Sequence, residues 1–143
     1  MSRLAPADAL AILQLATEAD SRATRRDAAG YAELFTEDGV MKGDMGDVSG
    51  RDALAETVAR VWGNEPPGTL HLTCNAVVDV SASTPTVTSI LVMLRPEPAG
   101  VEIQAAYVVQ QFLRTPESWK ISSRQITKTL TPGPEPKHGS VKS

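Results

Sequence analysis

With 143 residues, 41% hydrophobic and 22% charged, the chain fits one domain with enough apolar content for a real core. The formal net charge of −3 argues against a nucleic-acid surface, which needs clustered Lys and Arg; Arg22, Arg25 and Arg26 form only a short, solvated helix end. The single cysteine, Cys74, excludes an internal disulfide and a cysteine-based zinc site.

Residues Pro6 to about Ala29 read as a first helix. Leu10, Ile12, Leu13, Leu15 and Ala16 recur at helical spacing, and Asp8 suits a helix N-terminus. The second half, Thr17–Asp27, is polar, so that end is expected to be less deeply buried. Gly30 stops or bends the helix. A short helical turn follows at Tyr31–Phe35, then turn chemistry at Thr36-Glu37-Asp38-Gly39 and a brief strand at Val40–Lys42. Gly43, Gly46 and Gly50 mark a hairpin or loop. Leu54, Val58, Val61 and Trp62 predict a helix over Asp52–Trp62, broken by Gly63–Gly68.

The rest reads as strands. Over Leu70–Val80 one face carries Leu70, Leu72, Cys74, Ala76, Val78 and Val80; the other carries His71, Thr73, Asn75, Val77 and Asp79. Cys74 therefore reads as a buried, inert thiol. Thr86–Arg95, Val101–Arg114 and Trp119–Thr129 complete a meander, with turns at Ser81–Pro85, Pro96–Gly100 and Thr115–Ser118. Residues 1–130 thus make the domain, and the proline- and glycine-rich segment 131–143 is expected to be disordered. Helices followed by consecutive strands predict an α+β fold: a curved antiparallel sheet wrapped around N-terminal helices, leaving an apolar pocket on its concave face. No stretch approaches the roughly 20 apolar residues that span a bilayer, and Met1–Ala11 has no long apolar run. The expectation is a cytoplasmic protein without membrane or nucleic-acid partners.

Here a family comes into view. Asp27 with Tyr31–Val40 resembles the "D…LF…DGV" signature of SnoaL-like proteins. Gly50–Leu54 is similar to their "G…AI" helix start, His71–Asn75 to their "H…N" strand start, and Phe112–Arg114 with Trp119–Arg124 to their closing "F.R…W.I..R" strands. The resemblance covers about residues 8 to 128. It implies the cone-shaped, cystatin-like α+β barrel of the nuclear transport factor 2-like superfamily, which also holds ketosteroid isomerases, scytalone dehydratase and polyketide cyclases. It further implies a homodimer and a small hydrophobic ligand. The function it implies is a cofactor-free isomerase, cyclase or dehydratase working by proton transfer; the alternative is a non-catalytic ligand-binding, dimerisation or accessory module.

Such chemistry needs an acid or base in an apolar pocket. His71 matches the strand-start histidine of the family, and His138 lies in the tail. Strand parity puts His71 opposite the apolar face, whereas a bulge or twist at the strand start would turn it inward. The resemblance implies an acid in the first helix where this chain has Thr24, and a tyrosine where it has Ala19; Asp20, one turn earlier, is the available carboxylate. Tyr107 offers a hydrogen-bond donor or ends a core strand. Gln110 stands about where an acid is expected and can orient a ligand without taking its proton. Asp38 is the Asp of "DGV" or a plain turn former. Arg124 either pairs with Glu102 or Asp79 across the sheet or binds an acidic ligand. Met41, Trp62 and Phe112 line the pocket or fill the core. With one histidine in the folded part and no phosphate loop, nucleophile elbow or dinucleotide fingerprint, no metal and no cofactor is expected.

Overall fold

The structure, a computed structural model, describes residues 4–44, 46–81 and 83–129. The segment 131–143, expected to be disordered, lies outside the described residues.

Helix α1 spans Pro6–Thr24 and starts on a proline at its first positions, where the missing N–H costs nothing. It ends earlier than its pattern suggests. Arg26 takes a left-handed φ of 56°, its N–H bonds Ala23 O at 3.1 Å, and the Asp27 N–H bonds Arg22 O at 2.9 Å. That is a Schellman ending built on arginine instead of glycine. Asp27 then caps α2 (Ala28–Glu33) by accepting the Gly30 N–H, so Gly30 lies inside α2 and does not stop α1.

Strand β1 (Phe35–Gly43) absorbs the expected turn at Thr36–Gly39 as an irregularity in its pairing. Gly39 is required there, because a Cβ would sit 2.8 Å from the Cβ of Phe35. The two-residue β2 (Val48–Ser49) and helix α3 (Arg51–Gly63) follow. Strands β3 (Leu70–Asp79), β4 (Thr86–Glu97), β5 (Gly100–Arg114) and β6 (Trp119–Lys128) form the expected meander. Pro96 joins β4, so the β4–β5 connection is tighter than the predicted turn.

Among the described residues the sheet has six strands in the order β2-β1-β6-β5-β4-β3 and is curved and unclosed. It is not wholly antiparallel: β1 runs parallel to β6, pairing Phe35 with Ile121 and Met41 with Arg124. The core joins Ile12, Ala16, Ala19 and Ala23 of α1 to Tyr31, Phe35, Leu54, Val58, Trp62, Val87, Phe112 and Ile121. The second half of α1 is therefore more deeply buried than expected, while Leu10 stays exposed. Its alanines let the helix approach the sheet closely, and its buried polar groups find partners there.

Strand β3 settles the facing of His71. A register shift between Cys74 and Val77, with Asn75 at a positive φ of 52°, divides the strand. Before it, His71 and Thr73 point toward the helices while Leu70 and Leu72 are exposed. After it, Ala76 and Val78 pack on the core and Val77 is exposed. Cys74, beside the shift, is only partly buried. No helix among the described residues is long and apolar enough to cross a membrane.

Candidate functional site

A cavity of about 280 Å³ lies between α3, the loop after it and the inner sheet face. Met41, Val48, Val61, Leu91, Met93, Ala106 and Ile126 make its apolar lining; Asn64, Glu65, Arg95, Gln104 and Lys128 supply polar groups. A larger hollow of about 560 Å³ over Leu15, Leu34 and Trp119 is an open surface groove without a buried polar cluster.

Two buried polar centres flank the cavity. The first is Glu65 with His71. Glu65 sits in the breaker segment after α3, its N–H bonded to Trp62 O. The guanidinium of Arg26 donates to the Glu65 and Pro66 carbonyls at 3.0 and 2.9 Å, which fixes this loop on the end of α1. Glu65 Oε2 lies 3.2 Å from His71 Nε2 and 4.0 Å from Arg95 Nη1, and Arg95 is held in turn by Glu102 at 3.0 Å. Glu65 Oε1 and His71 Nδ1 are buried without a partner among the described residues. Glu65 lines the cavity, whereas the His71 ring lies behind it, 6.4 Å from Trp62.

The second centre lies deeper. Arg124 and Asp20, each 2% exposed, meet at 2.5 Å, and Thr73 donates to the other Asp20 oxygen. Burial works against the charge of Arg124, but the adjacent Asp20 and Tyr31 hold its pKa above the ordinary value. Burial also raises the Tyr31 phenol, against the opposing pull of Arg124. Tyr31 donates to Met41 sulfur at 3.6 Å and meets Trp62 edge-on, ring centroids 5.2 Å apart. Arg124 thus takes its partner from α1, not across the sheet as Glu102 or Asp79.

The expected site residues separate accordingly. His71, Asp20, Thr24, Gln110, Arg124, Met41 and Trp62 all reach the interior. Thr24, standing where an acid was expected, is tied to the His71 backbone. Phe112 is fully buried in the core. Tyr107 is 60% exposed on the opposite sheet face, since β5 alternates and Ala106 and Val108 take the inner positions; it cannot assist His71 there. Asp38 is exposed on the β1 irregularity. Glu65 was missed because Gly63–Gly68 reads as turn chemistry; the available signal was a carboxylate a few residues before the strand-start histidine.

The family described as a SnoaL-like domain matches residues 6–125. Three solved structures share the fold. One is a protein of unknown function with a cystatin-like fold from Nostoc punctiforme, with TM-score 0.80, 22% identity, and 91% of this chain and 97% of that chain covered. Another is an NTF2-like protein with a cystatin-like fold from Novosphingobium aromaticivorans, with TM-score 0.75, 24% identity, and 85% and 82% covered. A third is ActVI-ORFA from Streptomyces coelicolor, with TM-score 0.72, 21% identity, and 83% and 95% covered. No curated protein matches the chain.

Proposed function

We propose, from the premise that this chain belongs to the SnoaL-like domain family, that it moves a proton on a small, hydrophobic, cyclic substrate held in the 280 Å³ cavity. The class is that of a cofactor-free isomerase, cyclase or dehydratase. The observation that carries the reading is Glu65: it lines an apolar cavity, one carboxylate oxygen is held against His71, and the other is buried without a partner among the described residues.

A carboxylate removed from water is a competent base for a proton beside a carbonyl. Oε1 takes the proton from carbon as the electron pair moves toward the carbonyl, and returns it to another carbon of the same molecule. His71 acts as a positioning residue, fixing the carboxylate through Oε2, and Arg26 fixes the loop that carries it. The two-fold partner is a second copy of the chain, meeting the outer sheet face where Leu70, Leu72, Ile103, Tyr107 and Val109 are exposed.

Exchange of the α-protons of 2-tetralone for deuterium, followed by NMR, tests the proton-transfer reading. The protein accelerates exchange and Glu65→Gln abolishes the acceleration; no acceleration by the unaltered protein, or exchange that survives Glu65→Gln, overturns it. A non-catalytic ligand-binding module is the second reading. It is favoured by Thr24 and Gln110 standing where acids are expected, and it predicts binding without exchange.

A further inference from the structure

We infer that Arg95 holds a carbonyl oxygen of the ligand at the cavity wall beside Glu65, and so takes up the charge that forms on that oxygen when Glu65 removes the neighbouring proton. The inference rests on the reading of Glu65 as the base, and it names the group that such a reaction needs on its other side.

Removing a proton next to a carbonyl pushes an electron pair onto the oxygen, so the step is fast only where a donor is already held at that oxygen. The hydrogen and the oxygen sit on adjacent carbons, so base and donor must be neighbours that face one space. Glu65 and Arg95 both line the cavity, and Arg95 Nη1 stands 4.0 Å from Glu65 Oε2, outside hydrogen-bond reach. The two are adjacent without being spent on each other. Glu102, the partner of Arg95 across the β4–β5 pair, accepts from its Nε at 3.0 Å. That contact fixes the guanidinium by one edge and leaves its Nη donors on the side of Glu65. The two amides on the lining are turned elsewhere, Asn64 to the Arg60 carbonyl at 3.2 Å and Gln104 to Glu102 at 3.3 Å. Lys128 stands on β6, with β5 between it and the strand of Arg95.

Charge decides between a neutral and an anionic oxygen. Arg95 already faces two carboxylates, Glu65 and Glu102, so a ligand anion would be a third. A neutral carbonyl enters without that cost. As the C–H bond breaks, the proton neutralises Glu65, the C–H pair becomes a C=C bond and the carbonyl π pair moves to oxygen. One negative charge leaves Glu65 and one appears beside the same guanidinium, so the charge around Arg95 stays balanced. Return of the proton to another carbon reverses the shift.

The probe is 2-tetralone, used with the unaltered protein, Arg95→Met and Arg95→Lys. Arg95, with a side chain 24% exposed near the end of β4, lies outside the core, so both variants keep the fold. Deuterium exchange beside the carbonyl slows about a hundredfold in Arg95→Met, as loss of one donor to a developing oxyanion does, and recovers in part in Arg95→Lys. The loss persists as the pH is raised; full recovery at high pH would mean that Arg95 serves only to keep Glu65 ionised, and overturns the assignment. The carbonyl carbon resonance of labelled, bound 2-tetralone lies further upfield in Arg95→Met than in the unaltered protein, because the carbonyl has lost its donor. An unmoved resonance, an accelerated exchange that Arg95→Met leaves untouched, or no binding of the ketone overturns the assignment. A resonance that moves as expected in a protein that exchanges no protons sinks the reading of Glu65 as the base and leaves Arg95 as the anchor of the ligand's carbonyl.

Discussion

Thr24 and His71 are joined twice: the Thr24 hydroxyl accepts the His71 backbone N–H at 2.8 Å and donates to the His71 carbonyl at 3.1 Å. Strand β3 is an edge of the sheet among the described residues, and α1, not a further strand, satisfies these groups. Thr24→Val keeps the shape and removes the hydroxyl. It is expected to cost about 1–3 kcal/mol, the penalty of leaving a buried backbone group unpaired, and to speed amide exchange at His71. Unchanged denaturation midpoint and unchanged exchange would show that the strand edge does not depend on Thr24.

Asp20 and Arg124 are a buried ion pair, so each protects the other from a solvation penalty. Asp20→Leu or Arg124→Met alone should lower stability by about 3–5 kcal/mol. The double change Asp20→Leu with Arg124→Met should recover much of that loss, since no uncompensated charge remains. Urea denaturation of the four proteins measures the coupling; strictly additive losses would contradict it.

Tyr31 carries a raised phenol pKa, with burial as the main cause. Above about pH 10 the unfolded chain releases this proton while the folded chain keeps it, so stability falls as pH rises. The contribution is fully present below that pH. In Tyr107→Phe, where Tyr31 is the remaining tyrosine, phenolate absorbance should appear only together with loss of the near-ultraviolet circular dichroism. Phenolate rising near pH 10 in a protein that keeps that signal would refute the shift.

The proposed homodimer makes the outer sheet face an interface. Ile103→Lys combined with Val109→Lys, both at exposed positions, should yield a folded monomer in sedimentation equilibrium. A monomeric unaltered protein, or a dimer indifferent to both lysines, would remove the outer face from consideration.

The residues that announce this architecture do so through periodicity. The α3 stripe and the three long strands of the meander follow directly from apolar spacing and turn residues. Strand β3 misleads because both of its faces carry apolar side chains: Leu70 and Leu72 look like core and lie outside, and the shift after Cys74 reverses which parity is buried. Helix α1 misleads for the opposite reason, since its polar second half reads as the less buried end, yet Asp20 is buried and Thr24 half-buried against partners on β3 and β6. Those partners are remote in sequence, and no local pattern discloses them. Glu65 is hidden differently. A loop carboxylate has no period, and its place at the cavity depends on Arg26, which approaches from the end of another helix.

The parallel pairing of β1 with β6 has a consequence for the order in which the sheet can assemble. On a ribosome β1 emerges early, with the two-residue β2 to pair with, and its main neighbour is β6, the last strand among the described residues. The meander from β3 to β6 can zip through near-neighbour contacts, but β1 must wait for β6 and close a loop spanning most of the fold. Until then the backbone groups of β1 that pair with β6 have no strand beside them, and a chain stalled before Trp119 would leave that edge open to strands of other chains.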